Sequence, residues 1–235
     1  MITAIIVAAG QGLRMGSAQR KQFLKLCGEP ILIHTLRAFD ACQAVGQLLL
    51  VVPAGEIDFC RKNIIEPVDI STRIAMVQGG NSRQDSVFNG LESIPTNEGI
   101  VLIHDGVRPL VSVELIDACI EGAQRWGACI PALIPVDTLK QIAGNDIIER
   151  TISRDSVRLA QTPQAFHLSV LRKAYGQAKL RGWKATDDAS LVERMGMSVH
   201  VIPGMRENLK ITTAEDLALA QWYLSKKIKK RAFNP

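Results

Sequence analysis

Short, continuously apolar runs alternate along this chain with segments in which apolar residues repeat at helical spacing. The apolar runs cover residues 3–9, 47–52, 73–78, 99–104, 128–135 and 197–202. Between the first two runs, Leu32, Leu36 and Phe39 recur at i, i+4 and i+7, which is typical of an amphipathic helix. Strands that are apolar throughout are typical of a parallel sheet whose two faces are both covered by helices. The alternation therefore predicts an α/β fold with a doubly wound, mostly parallel sheet.

Residues 135–158 interrupt this alternation. Two short strand-like runs, residues 138–142 and 147–153, flank a turn-forming Gly-Asn-Asp sequence, and this pattern predicts a β-hairpin. We interpret the segment as an arm inserted within a single domain that spans residues 1–235. An isolated hairpin is only marginally stable, so the arm needs a surface to pack on. That surface is either a second subunit, which would make the arm a dimerisation element, or the chain's own sheet.

Composition excludes several classes of protein. The chain has 235 residues and is 47% hydrophobic, which is enough to bury the core of one domain. No apolar run approaches the roughly 18 residues of a membrane span. The five cysteines are scattered and never spaced as CxxC, so we expect reduced packing residues and neither a disulfide framework nor a zinc site.

The net charge of the chain indicates the kind of ligand it binds, and its N-terminal residues indicate where in the cell it is found. The net charge of +5 suits an anionic ligand. Residues 226–231 are basic, but only 5% of the chain is aromatic, so we expect no nucleic-acid partner. The chain passes from Met1 into a strand-like run without a basic leader or cleavage site. We therefore expect a cytoplasmic protein without membrane association.

The stretch AIIVAAGQGLRMGSAQRKQF, residues 4–23, changes from a buried strand to a loop rich in glycine and cations. It fits neither the dinucleotide fingerprint, because its third glycine comes one residue late, nor the P-loop. The physics shared by both motifs remains: glycines let backbone N–H groups approach anionic oxygens, and the neighbouring Arg and Lys side chains add positive charge. The stretch favours phosphate binding, with an ordinary solvated loop as the alternative.

Further polar loops follow later strands of the predicted sheet. GGNSRQDSV, residues 79–87, opens a helix, and HDGVRP, residues 104–109, places Asp105 and Arg108 at a strand end. Because ligands bind outside the carboxyl ends of the strands in such sheets, these loops share one edge with the first. Asp105 is a candidate to anchor Mg²⁺ or to accept from a sugar hydroxyl, and an ordinary turn residue fits equally well. With the polar segments 161–166, 185–190 and 207–213, read as loops, the edge suits a multiply phosphorylated ligand.

The motifs occur in an order that resembles one enzyme family. AAGxGxRMG followed by RKQF, then GGxxRxxSVxxGL, HDxxRP, DTLK, TPQxF, TDDAS and NLKITTxEDL, are similar to motifs of the 2-C-methyl-D-erythritol 4-phosphate cytidylyltransferases. The resemblance implies a Rossmann-like nucleotidyltransferase sheet and a homodimer joined by exchanged β-arms. It also implies transfer of CMP from CTP to 2-C-methyl-D-erythritol 4-phosphate with release of diphosphate. Mg²⁺ would be held mainly by the CTP phosphates.

The same resemblance implies roles for individual residues. For CTP binding it indicates Ala8, Ala9, Gly10, Gly12, Arg14, Met15, Lys21, Gly80, Asn81, Ser86, Asp105, Gly106 and Arg108. For binding of the polyol phosphate it indicates Asp105, Arg108, Thr138, Arg154, Thr162, Thr186 and Lys210. The candidate catalytic residues are Arg14 and Lys21 at the α-phosphate of CTP, and Arg154 and Lys210 at the phosphate of the second substrate. No residue is predicted to ligate a metal.

Two departures from the family's pattern concern the acceptor. HDGVRP carries Gly106 and Val107 where the family often has two alanines, and Asn81 replaces an acid found in some members. The ribitol 5-phosphate cytidylyltransferases are similar in the same loops and can have a non-alanine pair there. Transfer of CMP to ribitol 5-phosphate is therefore the alternative function, and a non-catalytic nucleotide-binding protein is a more remote one.

Overall fold

The computed structural model describes residues 1–10 and 20–233, with side chains described as far as residue 226. Within these ranges the strands are β1 (Ile2–Val7), β2 (Lys25–Leu26), β3 (Glu29–Pro30), β4 (Gln47–Val52), β5 (Ile74–Gln78), β6 (Ile100–Asp105), β7 (Ala128–Leu133), β8 (Leu139–Ile142), β9 (Ile148–Ile152), β10 (Leu159–Ala160), β11 (Gln164–His167) and β12 (His200–Pro203). The α-helices are α1 (Ile31–Asp40), α2 (Ile57–Cys60), α3 (Arg83–Glu92), α4 (Val113–Trp126), α5 (Leu168–Arg181), α6 (Ala189–Arg194) and α7 (Ala214–Phe233). Among the helices described, none is both long and apolar enough to cross a membrane.

One mixed sheet forms the centre of the fold. Its strand order is β10-β7-β11-β6-β1-β4-β5, and β12 pairs with β7. The neighbours β6, β1, β4 and β5 all run parallel, and β12 is parallel to β7. Only β10 and β11 are antiparallel to their partners in this sheet. The predicted α/β fold with a mostly parallel sheet is therefore confirmed.

Strand β11 corrects one expectation. Residues 161–166 were expected to form a polar loop, but Gln164–His167 lie in the middle of the sheet, between β6 and β7. Hydropathy does not reveal this strand because its first residue, Gln164, is polar although only 1% of its surface is exposed. Its carboxamide is satisfied by hydrogen bonds to the start of α6, which allows a polar group to be buried there.

Strands β1 and β4 are almost wholly apolar because both faces of the sheet are covered. In β1, Ala4 and Ile6 point into a core cluster that also contains side chains of α1 and α4. Ile5 points to the opposite face, where side chains of α3 and α5 cover it. Alternate residues of a strand face opposite sides of the sheet, so a strand between two helical layers has no polar face. Each fully buried aliphatic side chain contributes about 1.5–3 kcal/mol to this packing.

The predicted hairpin arm is formed by β8 and β9, which pair in antiparallel fashion. At its tip, Asn145 and Asp146 adopt positive φ angles of 62° and 57°, as tight hairpin turns require. Large apolar side chains of the arm lie in the open: Ile142 is 49% exposed, Ile147 63% and Ile148 56%. The arm therefore presents apolar surface that the described part of this chain leaves uncovered.

Candidate active site

A cleft of about 930 Å³ lies at the carboxyl edge of the central sheet. It is bounded by residues at the ends of four adjacent parallel strands: Val7 at the end of β1, Pro53 after β4, Gln78 at the end of β5 and Asp105 at the end of β6. The described residues that line it include four cations, Arg20, Lys21, Arg83 and Lys210, and one carboxylate, Asp105. An edge of this kind is where doubly wound sheets bind their ligands.

Two backbone turns form the floor of the cleft, and they pack directly against each other. A Cβ atom on Gly79 would lie 2.3 Å from the Cβ of Ala9, so only glycine allows the turn after β5 to approach the turn after β1 so closely. The second turn is fixed by Ser86, whose hydroxyl donates to the carbonyl of Ser82 at 2.8 Å and accepts from the N–H of Gly80 at 3.1 Å. The turn after β5 is therefore fixed both by its close packing against the turn after β1 and by the hydrogen bonds of Ser86.

Helix α3 begins at the same edge. Its N-cap is Ser82, whose side chain accepts from the N–H of Asp85 while the Asp85 carboxylate accepts from the N–H of Ser82. This reciprocal pair is a capping box, which stabilises the first turn of the helix. Gly80, Asn81 and Ser82 line the cleft just before that turn. The positive end of the helix dipole therefore faces the cleft and favours an anion.

Lys21 lines the cleft from a short 3-10 turn, Lys21–Phe23. The next residue, Gln22, is only 1% exposed and holds this turn against the end of β1. Its amide nitrogen donates to the carbonyl of Ala8 at 2.6 Å and to that of Gly10 at 3.2 Å. Arg20 is fixed in turn by Glu56, with Nε to Oε1 at 2.7 Å. Gln22 was not among the predicted site residues, although it stands beside Lys21 in the RKQF motif.

Asp105 organises the cations of the cleft. Its Oδ2 atom lies 2.8 Å from Nζ of Lys210 and 3.6 Å from Nε of Arg108, and its Oδ1 atom lies 3.2 Å from Nε of Arg83. Burial alone would raise the pKa of Asp105, but Arg83, Lys210 and Arg108 outweigh it and hold that pKa well below its usual range. The carboxylate is therefore ionised and already paired, and its three cations occupy fixed positions.

A buried layer behind Asp105 fixes its backbone. The N–H of Asp105 donates to the hydroxyl of Thr162 at 3.2 Å, and this hydroxyl lies 3.0 Å from Nδ1 of His104. The other ring nitrogen of His104 lies 3.2 Å from the carbonyl of Arg108, which can only accept, so that nitrogen carries the proton. Burial lowers the pKa of His104 to about 3, so the ring is neutral. Thr162 therefore supports the end of β6 instead of opening into the cleft.

Arg83 joins two carboxylates that come from distant parts of the chain. Besides Asp105, it contacts Asp188, with Nη2 to Oδ2 at 2.9 Å. Burial alone would lower the pKa of Arg83, but Asp188 and Asp105 outweigh it and raise that pKa above its usual range. Arg83 was not among the predicted site residues. The sequence feature that could have identified Arg83 is its position in the first turn of a helix that follows a glycine turn.

The structure brings together part of the predicted site. The predicted residues that line the cleft are Ala8, Ala9, Gly10, Lys21, Gly80, Asn81, Ser86, Asp105 and Lys210. Three more lie behind it: Gly106 packs against Ala8, Arg108 donates to the carbonyl of Asn208 at 2.8 Å, and Thr162 supports Asp105. Gly12, Arg14 and Met15 lie outside the described residues.

Three predicted residues do not line the cleft of their own chain. Thr138, Arg154 and Thr186 are all exposed, and the first two belong to the arm segment. Arg154 donates from Nη1 to the carbonyl of Val136, which joins the two ends of the arm. No group of three or more metal-binding side chains is found among the described residues.

Comparisons with known proteins identify the family of the chain. A sequence model of the family "2-C-methyl-D-erythritol 4-phosphate cytidylyltransferase" matches residues 2–226. The protein of that name from Syntrophus aciditrophicus is 43% identical over 225 residues, covering 96% of each chain. The one from Pelotomaculum thermopropionicum is 43% identical over 220 residues, covering 94% of this chain and 92% of the relative. The crystal structure of 4-diphosphocytidyl-2C-methyl-D-erythritol synthase from Anaerococcus prevotii superposes with a TM-score of 0.83 at 35% identity, covering 96% of this chain and 98% of that chain.

Proposed function

The chain belongs to the 2-C-methyl-D-erythritol 4-phosphate cytidylyltransferase family and is a cytidylyltransferase, and we propose that the cleft transfers CMP from CTP to 2-C-methyl-D-erythritol 4-phosphate. The observation that supports this assignment is the set of four cations that line the cleft next to two glycine turns, two of which, Arg83 and Lys210, pair with the carboxylate of Asp105. Such a site suits two polyanions that must approach each other. The cations reduce the repulsion between the negatively charged CTP and the negatively charged polyol phosphate, which would otherwise keep them apart.

The reaction needs no general base. The nucleophile is a phosphate oxygen of the polyol phosphate, and its second pKa near 6 leaves it mostly ionised at neutral pH. This oxygen attacks the α-phosphorus of CTP, a new P–O bond forms, and the bond from the α-phosphorus to the bridging oxygen breaks, so that diphosphate leaves. Among the described residues that line the cleft there is no histidine, and the nearby His104 is buried and neutral. Positioning and electrostatic stabilisation therefore supply the rate enhancement.

We assign Lys21 to the α-phosphate of CTP, together with Arg14, which lies outside the described residues. In the transition state, negative charge is spread over the equatorial oxygens of the phosphoryl group, and a fixed ammonium stabilises it. The two hydrogen bonds of Gln22 to the end of β1 place Lys21 beside the glycine turn. The nucleoside would lie along Gly80, Asn81 and Ser86, where α3 begins.

The acceptor would lie at the other end of the cleft, where Lys210 and Asp105 meet. The Lys210 ammonium would bind its phosphate, and the ionised Asp105 would accept hydrogen bonds from its hydroxyl groups. Of the alternatives that the sequence left open for Asp105, the hydroxyl acceptor suits the observed pairing best. A carboxylate already bound to three cations is a poor ligand for Mg²⁺.

We propose that Mg²⁺ is bound mainly through the phosphates of CTP. The described residues contain no cluster of metal ligands, and Mg²⁺ commonly keeps its waters and binds substrate phosphates with few protein ligands. When bound, the ion would neutralise charge on the phosphates. The protein would add Lys21 and Arg20 on one side of the triphosphate and the N-terminus of α3 on the other.

We propose that the enzyme is a homodimer joined through its arms. Thr138 and Arg154, predicted to bind the polyol phosphate, do not line the cleft of their own chain. The arm also exposes Ile142, Ile147 and Ile148, which a second subunit would cover. Arg154 would then complete the cleft of the partner subunit. We further propose a cytoplasmic enzyme without nucleic-acid or membrane partners, since both substrates are small, water-soluble anions.

A diphosphate-release assay tests the function. CTP is offered with 2-C-methyl-D-erythritol 4-phosphate or with ribitol 5-phosphate, and ATP, GTP and UTP serve as controls. We expect release only with CTP and methylerythritol phosphate, the acceptor named for the relatives. Release with ribitol 5-phosphate alone would support the alternative acceptor. CTP binding without release in any combination would favour the non-catalytic alternative.

A further inference from the structure

Asp188 is a fully buried carboxylate that does not line the cleft, yet it contacts Arg83, which does. Arg83 therefore uses two nitrogens for two different carboxylates: Nε for Asp105 and Nη2 for Asp188. A buried carboxylate is tolerated only when it is paired and hydrogen-bonded, and Asp188 meets both conditions. The position of Arg83 is consequently set from behind the cleft as well as from within it.

The second partner of Asp188 is Tyr175 on α5. Its hydroxyl donates to Oδ1 of Asp188 at 2.6 Å, so each carboxylate oxygen has its own partner. Burial, together with the charge of Asp188, raises the pKa of Tyr175 well above its usual value, so the hydroxyl remains a donor. A hydrogen bond to an ionised group is stronger than one between neutral groups.

The backbone of Asp188 is fixed by Gln164 on β11. The Oε1 atom of Gln164 accepts from the N–H groups of Asp188 at 3.1 Å and Ala189 at 3.0 Å. Its Nε2 atom donates to the carboxylate of Asp187 at 2.8 Å. One buried carboxamide thereby joins the TPQxF motif to the TDDAS motif and fixes the first turn of α6.

A continuous series of contacts connects the buried Asp188, through Arg83 and Asp105, to Lys210 in the cleft. Oδ1 of Asp105 is contacted by Arg83, and Oδ2 is contacted closely by Lys210 at 2.8 Å and more distantly by Arg108 at 3.6 Å. Because both oxygens belong to one rigid carboxylate, a displacement of Arg83 rotates Asp105 and moves the oxygen that Lys210 contacts. The side chain of Lys210 is 36% exposed, and Asp105 is the only residue in the described part of the chain with which its ammonium forms an ion pair.

We propose that Arg83 is a positioning residue for Asp105 and Lys210, and that Tyr175, Asp188 and Gln164 form the support cluster that holds Arg83 in place. This inference rests on the proposed function, because it assigns Lys210 to the phosphate of the polyol substrate. The support cluster touches neither substrate. It also gives Gln164 and Asp188, in motifs that the sequence analysis read as polar loops, a role other than substrate contact.

The variant Tyr175→Phe tests the proposal, because it removes one hydroxyl and leaves the ring. We expect the KM for the polyol phosphate to rise about 10-fold, the scale of losing a hydrogen bond to a charged group. The KM for CTP and the kcat should stay within about twofold of the wild type, since Lys21 lies in a separate turn. The matched control is Tyr223→Phe, which removes the other phenol of the chain, on α7. It should leave all three constants unchanged.

A second variant covers the case in which Tyr175→Phe does not fold. Arg83→Lys keeps the charge, but an ammonium cannot replace the two separate contacts of a guanidinium, so the KM for the polyol phosphate should again rise at least about 10-fold. Arg83→Ala should be more severe, so partial rescue by lysine is expected. Unchanged constants in a folded variant, or an equal loss in all constants, would overturn the proposal.

A crystal structure of Tyr175→Phe or Arg83→Lys provides a readout that does not depend on turnover. We expect Lys210 to move out of hydrogen-bonding distance of Asp105. Unaltered positions of Asp105 and Lys210 would contradict the positioning role, whether or not the reaction is the proposed one. Wild-type enzyme that releases no diphosphate from CTP and methylerythritol phosphate would contradict the proposed function instead, so the two failures are distinguishable.

Discussion

Nζ of Lys210 lies 2.8 Å from Oδ2 of Asp105, although the two residues are far apart in the sequence. Asp105 ends β6, and Lys210 belongs to the segment that leads into α7. This contact closes one side of the cleft and places a cation where the sheet presents its carboxyl edge.

Asp105→Asn should reduce both activity and stability. The amide would leave Arg83, Arg108 and Lys210 without the carboxylate that balances them. We expect kcat/KM to fall by about 100-fold or more, and the free energy of unfolding to fall by about 3–5 kcal/mol, the usual cost of breaking a buried ion pair. Steady-state kinetics and urea unfolding measure these effects. Asp58→Asn, at an exposed position of α2, is the control and should change neither.

Stability should decrease as the pH falls from about 6.5 to about 3. His104 has its pKa lowered from 6.5 to about 3, so in this window the unfolded chain binds a proton that the folded chain does not. Each pH unit then costs about 1.4 kcal/mol. Asp105 acts in the same direction below its ordinary pKa of 3.8, because its own pKa is lowered.

The pH effect is measured as the urea unfolding free energy at successive pH values. His104→Gln should flatten the slope, whereas His167→Gln, at an exposed position, should leave it as in the wild type. A slope that is the same in His104→Gln and the wild type would show that another group dominates.

Gly79→Ala should damage the floor of the cleft. The new Cβ would lie 2.3 Å from the Cβ of Ala9, so one of the two turns must move. We expect the KM for CTP to rise about 10-fold or more and stability to fall by about 1–3 kcal/mol. Gly176→Ala is the matched control, because nothing lies within 4 Å of its added methyl group on α5.

The control substitution Gly176→Ala should stabilise the protein by about 0.5–1 kcal/mol. Equal effects of Gly79→Ala and Gly176→Ala would count against close packing of the two turns.

The arm predicts complementation between inactive chains. If Arg154 completes the cleft of the partner subunit, a heterodimer of Lys21→Ala and Arg154→Ala chains contains one intact site. Equal mixing with free exchange of subunits should then restore about a quarter of the wild-type activity, because half of the dimers are mixed and each has one good site. Activity no higher than that of the separate variants would mean that each site is built from a single chain.

The alternation of apolar runs was sufficient to predict the parallel strands, since a strand such as β1, buried on both faces, has no polar residue to interrupt it. The same reasoning failed for β11, where a buried Gln164 is satisfied by contacts that hydropathy does not report. The turns of the site could be predicted because parallel strands bring their carboxyl ends to one edge. The pairing of Arg83 with Asp188 could not, because 105 residues separate them and the contact depends on how α6 packs.

The turnover number of Lys21→Ala tests the central claim most directly, with Lys62→Ala, at an exposed position, as the control. Removal of one prearranged cation from the α-phosphate should lower kcat by about 100-fold or more in a protein that still folds and binds CTP. The control should turn over like the wild type. A folded Lys21→Ala enzyme with an unchanged kcat would contradict the claim that fixed charges in this cleft perform the transfer.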